Sequence, residues 1–243
     1  MSTLDALSNQ FWMHESFLEL QAFFGPTFKP SYCLSDEQKA IEDRASFSGS
    51  DEEWTASTDI FCYQNVALAI QGIHRPYLSK LLASTADRYG PSVLDYGAGG
   101  GQVGLGLHFL GYRVSFADIP GRSLMWLIYR LRQLRLPLPV YILGQGVQIP
   151  RHNIVLCLDV IEHLSRPEQE ELLTRLGEIG EAVFVNLIRD DDHPGIHAPV
   201  DFDGLTEFVR SKWACFSEDH YPHPDTGIPR QRLLIYGEAV ENA

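Results

Sequence analysis

At 243 residues, 44% hydrophobic and 21% charged, the chain is long enough for one sizeable domain with a real core and has the balance of a soluble globular enzyme. Its formal net charge of −13 is unevenly spread, residues 1–60 holding 11 acids against 3 bases, and such a surface repels phosphate backbones and disfavours nucleic acid as a partner. The opening "MSTLDALSNQ" lacks the basic and apolar regions of a secretory signal, no run is long enough to span a bilayer, and Cys33, Cys62, Cys157 and Cys215 form no CxxC pair; no membrane is expected, and buried thiols in a reducing cytoplasm are.

Hydrophobic spacing predicts a helix over 8–24, with Met13, Phe17, Leu20 and Phe24 on one stripe and Gly25-Pro26 ending it. Its aromatic residues Phe11, Trp12, Phe17 and Phe24 dock the helix onto the rest of the chain in the preferred reading; capping an apolar acceptor is the other. A polar, acidic stretch with a Ser-Gly-Ser loop follows. Residues 1–58 hold too few apolar side chains for a core of their own and are read as a helical appendage or lid, leaving 59–243 as the core. Residues 60–73 read as helix, and Pro76 opens another that reaches about Arg88.

From Pro91 onward, short β-branched and aliphatic runs alternate with helical ones: "SVLDY", "RVSFA", "VYIL", "IVLCL" and "VFVNLI" are separated by "GQVGLGLHFL", "SLMWLIYRLRQL" and "RPEQEELLTRLGEI". That alternation implies an α/β fold, a parallel sheet covered by helices on both faces. After "DGLTEFVRSKWA" the segments "CFSEDHY" and "QRLLIYG" have no helix between them and read as an antiparallel hairpin finishing the sheet. Arg130, Arg132 and Arg135 form the one basic cluster, and their spacing around a helix suggests a solvated face.

The glycines after "SVLDY" admit two frames. Gly99-x-Gly101-x-x-Gly104 matches a dinucleotide fingerprint, and Gly97-x-Gly99-x-Gly101 a looser one. The first glycine must follow the strand directly, which selects Gly97. No Gly-Lys-Ser/Thr is present, so a Walker loop is excluded.

Val93 to Gly101, "VLDYGAGGG", resembles motif I of the class I S-adenosylmethionine (SAM)-dependent methyltransferases. Asp118 at the end of the second strand, "IVLCLDVIEHL" (Ile154–Leu164) and the terminal hairpin are similar to further landmarks of that family. The resemblance covers about residues 60–243. It implies a seven-stranded, mostly parallel Rossmann-like sheet with a C-terminal antiparallel hairpin, helices on both faces and an N-terminal helical appendage, with SAM as cofactor. In that frame Gly97, Gly99 and Gly101 let the backbone pass close to the methionine moiety, and Asp95 faces its ammonium. Asp118 takes the ribose hydroxyls, with Ile119 beside it. Where the family usually places an acid near the adenine, this chain has "GQGVQIP", so Gln145 is the candidate there. Tyr63 or Gln64 of "TDIFCYQN" stands where relatives carry a cofactor lid.

Ligands of open α/β sheets bind at the C-terminal strand ends, which selects Leu158, Asp159 and His163 and the loop "NLIRDDDHPGIHAPVDF". His197 in that loop is the first candidate for a base or acceptor contact, with His193 behind it. Spacing i, i+3, i+4 puts Asp159, Glu162 and His163 on one face of a helical turn, and with His197 they would make a divalent-cation set. The competing reading, that Glu162 and His163 cap and pack the turn, is preferred, and no metal is assigned. The expected activity is methylation of a small molecule on oxygen, nitrogen or carbon, in biosynthesis or secondary metabolism. Two alternatives share the same motifs: an enzyme that cyclises SAM itself and releases methylthioadenosine, and a non-catalytic SAM-binding subunit. An NAD enzyme is disfavoured by the glycine frame and the hairpin.

Overall fold

The computed structural model describes residues 10–29, 32, 38–71, 90–144, 146–188, 198–222 and 229–237. In chain order the helices are α1 (Gln10–Phe24), α2 (Gln38–Ser46), α3 (Asp51–Ser57), α4 (Ile60–Gln71), α5 (Gln102–Phe109), α6 (Arg122–Gln133), α7 (Arg166–Ile179) and α8 (Phe202–Lys212). The strands are β1 (Ser92–Tyr96), β2 (Arg113–Asp118), β3 (Val140–Ile142), β4 (His152–Cys157), β5 (Gly180–Ile188), β6 (Ala214–Pro222) and β7 (Pro229–Gly237).

Every residue of β1 after Ser92 is buried, which is why the strand reads as a continuous apolar run rather than an alternating one. Val93 packs on one face with Leu105, Phe116 and Leu127, and Leu94 on the other with Val155, Leu173 and Leu205. Both faces of the sheet are therefore covered, by α5 and α6 on one side and α7 and α8 on the other. β1 pairs in parallel with β2 and β4, β3 lies outside β2, and β5 outside β4. β7 then inserts antiparallel between β5 and β6, giving the order β3-β2-β1-β4-β5-β7-β6. This is the seven-stranded sheet with a reversed terminal hairpin that the sequence predicts. The direction in which successive strands are added reverses between β1 and β4, and open α/β sheets bind ligands at the C-terminal strand ends beside such a point.

The segment before α4 is fastened to the core by both apolar and polar contacts. Leu20 and Phe24 of α1 are buried with Cys62, Tyr63 and Val66 of α4 and Trp126 of α6. The Phe24 and Tyr63 rings stack at 5.0 Å and 4°. Ser50 and Glu53 form a capping box at the start of α3, and Asp43 of α2 accepts from the Trp54 indole N–H at 2.9 Å and the Thr58 hydroxyl at 2.6 Å. The aromatic residues Phe17 and Phe24 thus dock α1. Side chains of Phe11, Trp12 and Met13, and the helix predicted over 76–88, lie outside the described residues.

The solvated basic face needs correction. Arg132 and Arg135 are exposed, but Arg130 is wholly buried, because α1 lies across that turn of α6 and supplies Glu19 as its ion-pair partner at 2.7 Å. Among the described residues, no helix is long and apolar enough to cross a membrane.

Candidate functional site

Directly after β1, Gly97, Gly99 and Gly101 have φ of +71°, +53° and +71°. These are left-handed values that favour glycine, and they fall on the frame beginning at Gly97. Gly104, the last glycine of the competing dinucleotide frame, sits inside α5. Close approach matters as well as conformation: a Cβ on Gly97 would lie 2.2 Å from Val160 Cγ2, so the loop after β1 runs hard against the loop after β4.

Three carboxylates stand at the ends of β1, β2 and β4. Asp95 is buried, and its Oδ2 accepts from the Gly104 N–H at 2.8 Å, in the first turn of α5 where a negative charge favours the helix. Asp118 accepts from the Gly99 N–H at 2.6 Å and from the Ile119 N–H at 2.7 Å. Burial pushes its carboxyl from 3.8 up to about 6, against the two backbone hydrogen bonds, which hold it down. Ile119 beside it is 40% exposed. Leu158 is buried at the end of β4.

Asp159 has φ +56°, uncommon for a residue with a Cβ. It is held there by Asn186 of β5: the Asp159 N–H donates to Asn186 Oδ1 at 2.7 Å, and Asn186 Nδ2 donates to Asp159 Oδ1 at 2.5 Å. The positive φ also corrects the helical turn expected from Asp159 onward. The turn is a 3-10 helix confined to Ile161–His163, with Glu162 buried and His163 exposed, so Asp159 does not share a helical face with them. Among the described residues no three side chains come together as a metal set. The His163 ring lies edge-on to Phe61 at 5.7 Å, and the Glu162 carbonyl accepts from the Ala198 N–H at 2.6 Å. Gln145, His193 and His197 lie outside the described residues.

α4 forms the roof. Asn65 Oδ1 accepts from the Gly100 N–H at 3.0 Å, while its Nδ2 donates to the Phe61 carbonyl at 2.9 Å. Phe61 and Asn65 share one face of α4, towards the strand ends; Ile60 and Tyr63 are on the opposite face. Tyr63 therefore sits elsewhere than at the glycine loop, buried in the aromatic cluster with its hydroxyl accepting from the Lys29 N–H at 3.0 Å. On that side a cavity of about 380 Å³ is lined by Lys29, Tyr32, Phe47, Trp54, Ile60 and Tyr63, among others. The salt bridge Arg122–Asp59, 2.6 Å, joins the residue before α4 to the first residue of α6.

Asn65, Asn186 and Arg130 escape the sequence reading. Asn186 carried a signal, a lone amide within the apolar run "VFVNLI". Asn65 carried a weaker one, its helical register with Phe61.

No family model matches the chain, and no curated protein sequence matches it. Solved structures do. Magnesium protoporphyrin IX methyltransferase from Synechocystis PCC 6803 with bound SAM is 14% identical with a TM-score of 0.57, over 92% of this chain and 97% of that one. A glycopeptide N-methyltransferase complexed with SAM is 14% identical with a TM-score of 0.53, over 67% and 93%. TehB from Haemophilus influenzae is 16% identical with a TM-score of 0.53, over 73% and 66%. At these identities the likeness is one of fold: the chain has the Rossmann-like fold of the class I SAM-dependent methyltransferases.

Proposed function

We propose that the protein is a SAM-dependent methyltransferase acting on a small molecule, with residues 1–58 as an appendage to a core of residues 59–243. One observation carries the reading: three left-handed glycines on the Gly97-x-Gly99-x-Gly101 frame, hydrogen-bonded through Gly99 to an acid at the end of β2. The site suits SAM chemically. A loop of left-handed glycines lies beside carboxylates at three strand ends, and the ligand brings a sulfonium, an ammonium and two ribose hydroxyls.

In this reading Gly97, Gly99 and Gly101 hold the methionine moiety with Asp95, while Asp118 accepts from the ribose hydroxyls. Ile119 covers the adenine, with Gln145 as its polar contact, and Leu158 and Asp159 border the opposite side. Asn65, rather than Tyr63, is the residue of α4 that meets the loop. When bound, SAM supplies a methyl group already activated by the sulfonium, so the protein's task is to align the acceptor, exclude water and remove a proton where the acceptor requires it. His163, exposed beside the end of β4, and His197 are the candidates for that proton; residues 1–58 and the loop 189–200 are the proposed cover of the donor, with α4, whose Asn65 meets the glycine loop, beside them.

Incubating the pure protein with SAM alone and following its fate by mass spectrometry tests the reading. Bound, intact SAM supports it, and acceptor screening follows. Steady release of methylthioadenosine replaces it with SAM cyclisation, and no binding of SAM or S-adenosylhomocysteine (SAH) overturns it.

A further inference from the structure

Arg130 is a fully buried cation whose hydrogen bonds run to three separate parts of the chain. Nη1 donates to the Gly100 carbonyl at 2.5 Å and to Gln102 Oε1 at 2.7 Å, both in the glycine loop or the first turn of α5. Nε donates to Glu19 Oε2 at 2.7 Å, and Nη2 to the Ser16 hydroxyl at 3.3 Å, both on α1. Gln102 Nε2 donates to the same hydroxyl at 2.6 Å, closing the circuit. One turn earlier in α6, the Trp126 ring lies so close to Gly100 that a Cβ there would meet it at 2.1 Å.

We infer that Arg130 is a positioning residue for the cofactor loop and that α1, through Glu19 and Ser16, completes the cofactor site without touching the cofactor. This rests on the SAM-binding reading above. Gly99, Gly100 and Gly101 are consecutive, and such a run has more conformational freedom than any other three residues. A ligand that binds it must fix that freedom unless the protein has already done so. The Arg130 fork fixes the peptide after Gly100 from behind, while Asn65 holds the Gly100 N–H from the front. A buried guanidinium is stable only with its charge countered, and Glu19, 14% exposed, supplies the counter-charge. Lysine has the charge but lacks the planar fork that reaches the loop and α1 together. Docking of α1 and order in the glycine loop are thereby one event.

The test is SAH titration of the full chain by calorimetry, with melting temperatures in parallel, for the parent, Arg130→Lys, Glu19→Gln and Ser16→Ala. The parent is expected to bind SAH, and Arg130→Lys and Glu19→Gln, measured well below their melting points, to bind about tenfold more weakly, with Ser16→Ala in between. Glu19→Gln and Ser16→Ala keep the arginine itself and loosen its hold from the α1 side, so they answer the question even where Arg130→Lys fails to fold. Lower melting temperatures with unchanged SAH affinity would overturn the positioning role and leave the SAM reading intact. A parent chain that binds neither SAM nor SAH would overturn both.

Discussion

Asp159 and Asn186 exchange hydrogen bonds across the ends of β4 and β5, at 2.7 and 2.5 Å, and Asn186 is wholly buried. The amide both donates and accepts, which a carboxylate in its place does not do when ionised. It holds Asp159 at a positive φ that the chain would otherwise relax. Asn186→Ala removes both bonds inside a closed interior and is expected to cost about 1–3 kcal/mol of stability, read by urea unfolding. SAH affinity should fall with it, because Asp159 borders the proposed site. A stable Asn186→Ala protein that binds SAH normally would show that the left-handed Asp159 belongs to the turn alone.

Asp118 sets an acid limit on ligand binding. Its carboxyl is raised from 3.8 to about 6, so the protonated form favours the fold: the contribution is full below 3.8 and is lost as pH rises through 6. Accepting from ribose hydroxyls favours the ionised form, which is the opposite preference. SAH affinity is therefore expected to hold above pH 6 and to fall below it by up to about tenfold per pH unit. Asp118→Asn should bind weakly at every pH with this step absent, and Asp118→Ala should abolish binding. A parent profile flat from pH 5 to 8 would show that the carboxyl does not titrate there, and an Asp118→Ala protein that binds SAH as the parent does would remove Asp118 from the site.

β1, β2, β4 and β5 are legible because burial on both faces leaves nearly continuous apolar runs, and the glycine frame is legible because Gly97 follows β1 at once. What is hidden depends on which helix covers which. Arg130 and Arg132 differ by two positions on one helix, yet one is buried and the other exposed, since α1 crosses only one side of α6. Tyr63 and Asn65 are separated the same way, α1 and Lys29 taking the tyrosine and the glycine loop taking the asparagine. Periodicity marks which residues share a face but not what lies against it. Asp159 is hidden for another reason: a left-handed aspartate has no sequence mark that distinguishes it from one beginning a helical turn.

Gly97 gives a test of close approach in the cradle. An alanine there meets a left-handed φ and Val160 Cγ2 at 2.2 Å, so either the loop or Val160 must move. Gly97→Ala is expected to lose SAH binding and about 1–3 kcal/mol of stability. Val160→Ala in the same chain clears the steric clash but not the backbone strain, so the double variant should regain part of the stability in urea unfolding. No recovery at all would assign the whole cost to the backbone.

Cys62 reports on the roof over the site. It is buried on α4 with its Sγ 3.8 Å from the Ser123 hydroxyl of α6, and burial pushes the thiol up to about 12. At pH 8 the native thiol is therefore protonated as well as covered, and iodoacetamide needs the thiolate. Labelling, located by peptide mass spectrometry, is expected to proceed only through opening of α4 from α1 and α6. Because Asn65 on the same helix holds the glycine loop, a bound ligand that steadies the loop should slow labelling of Cys62 further. Cys157 is equally buried but lies in the central sheet, so it reports global unfolding and serves as the internal reference. Faster labelling of Cys62 than of Cys157, with SAH abolishing the difference, is the signature of a helix that opens for the cofactor. Equal rates with and without SAH would make α4 a fixed wall.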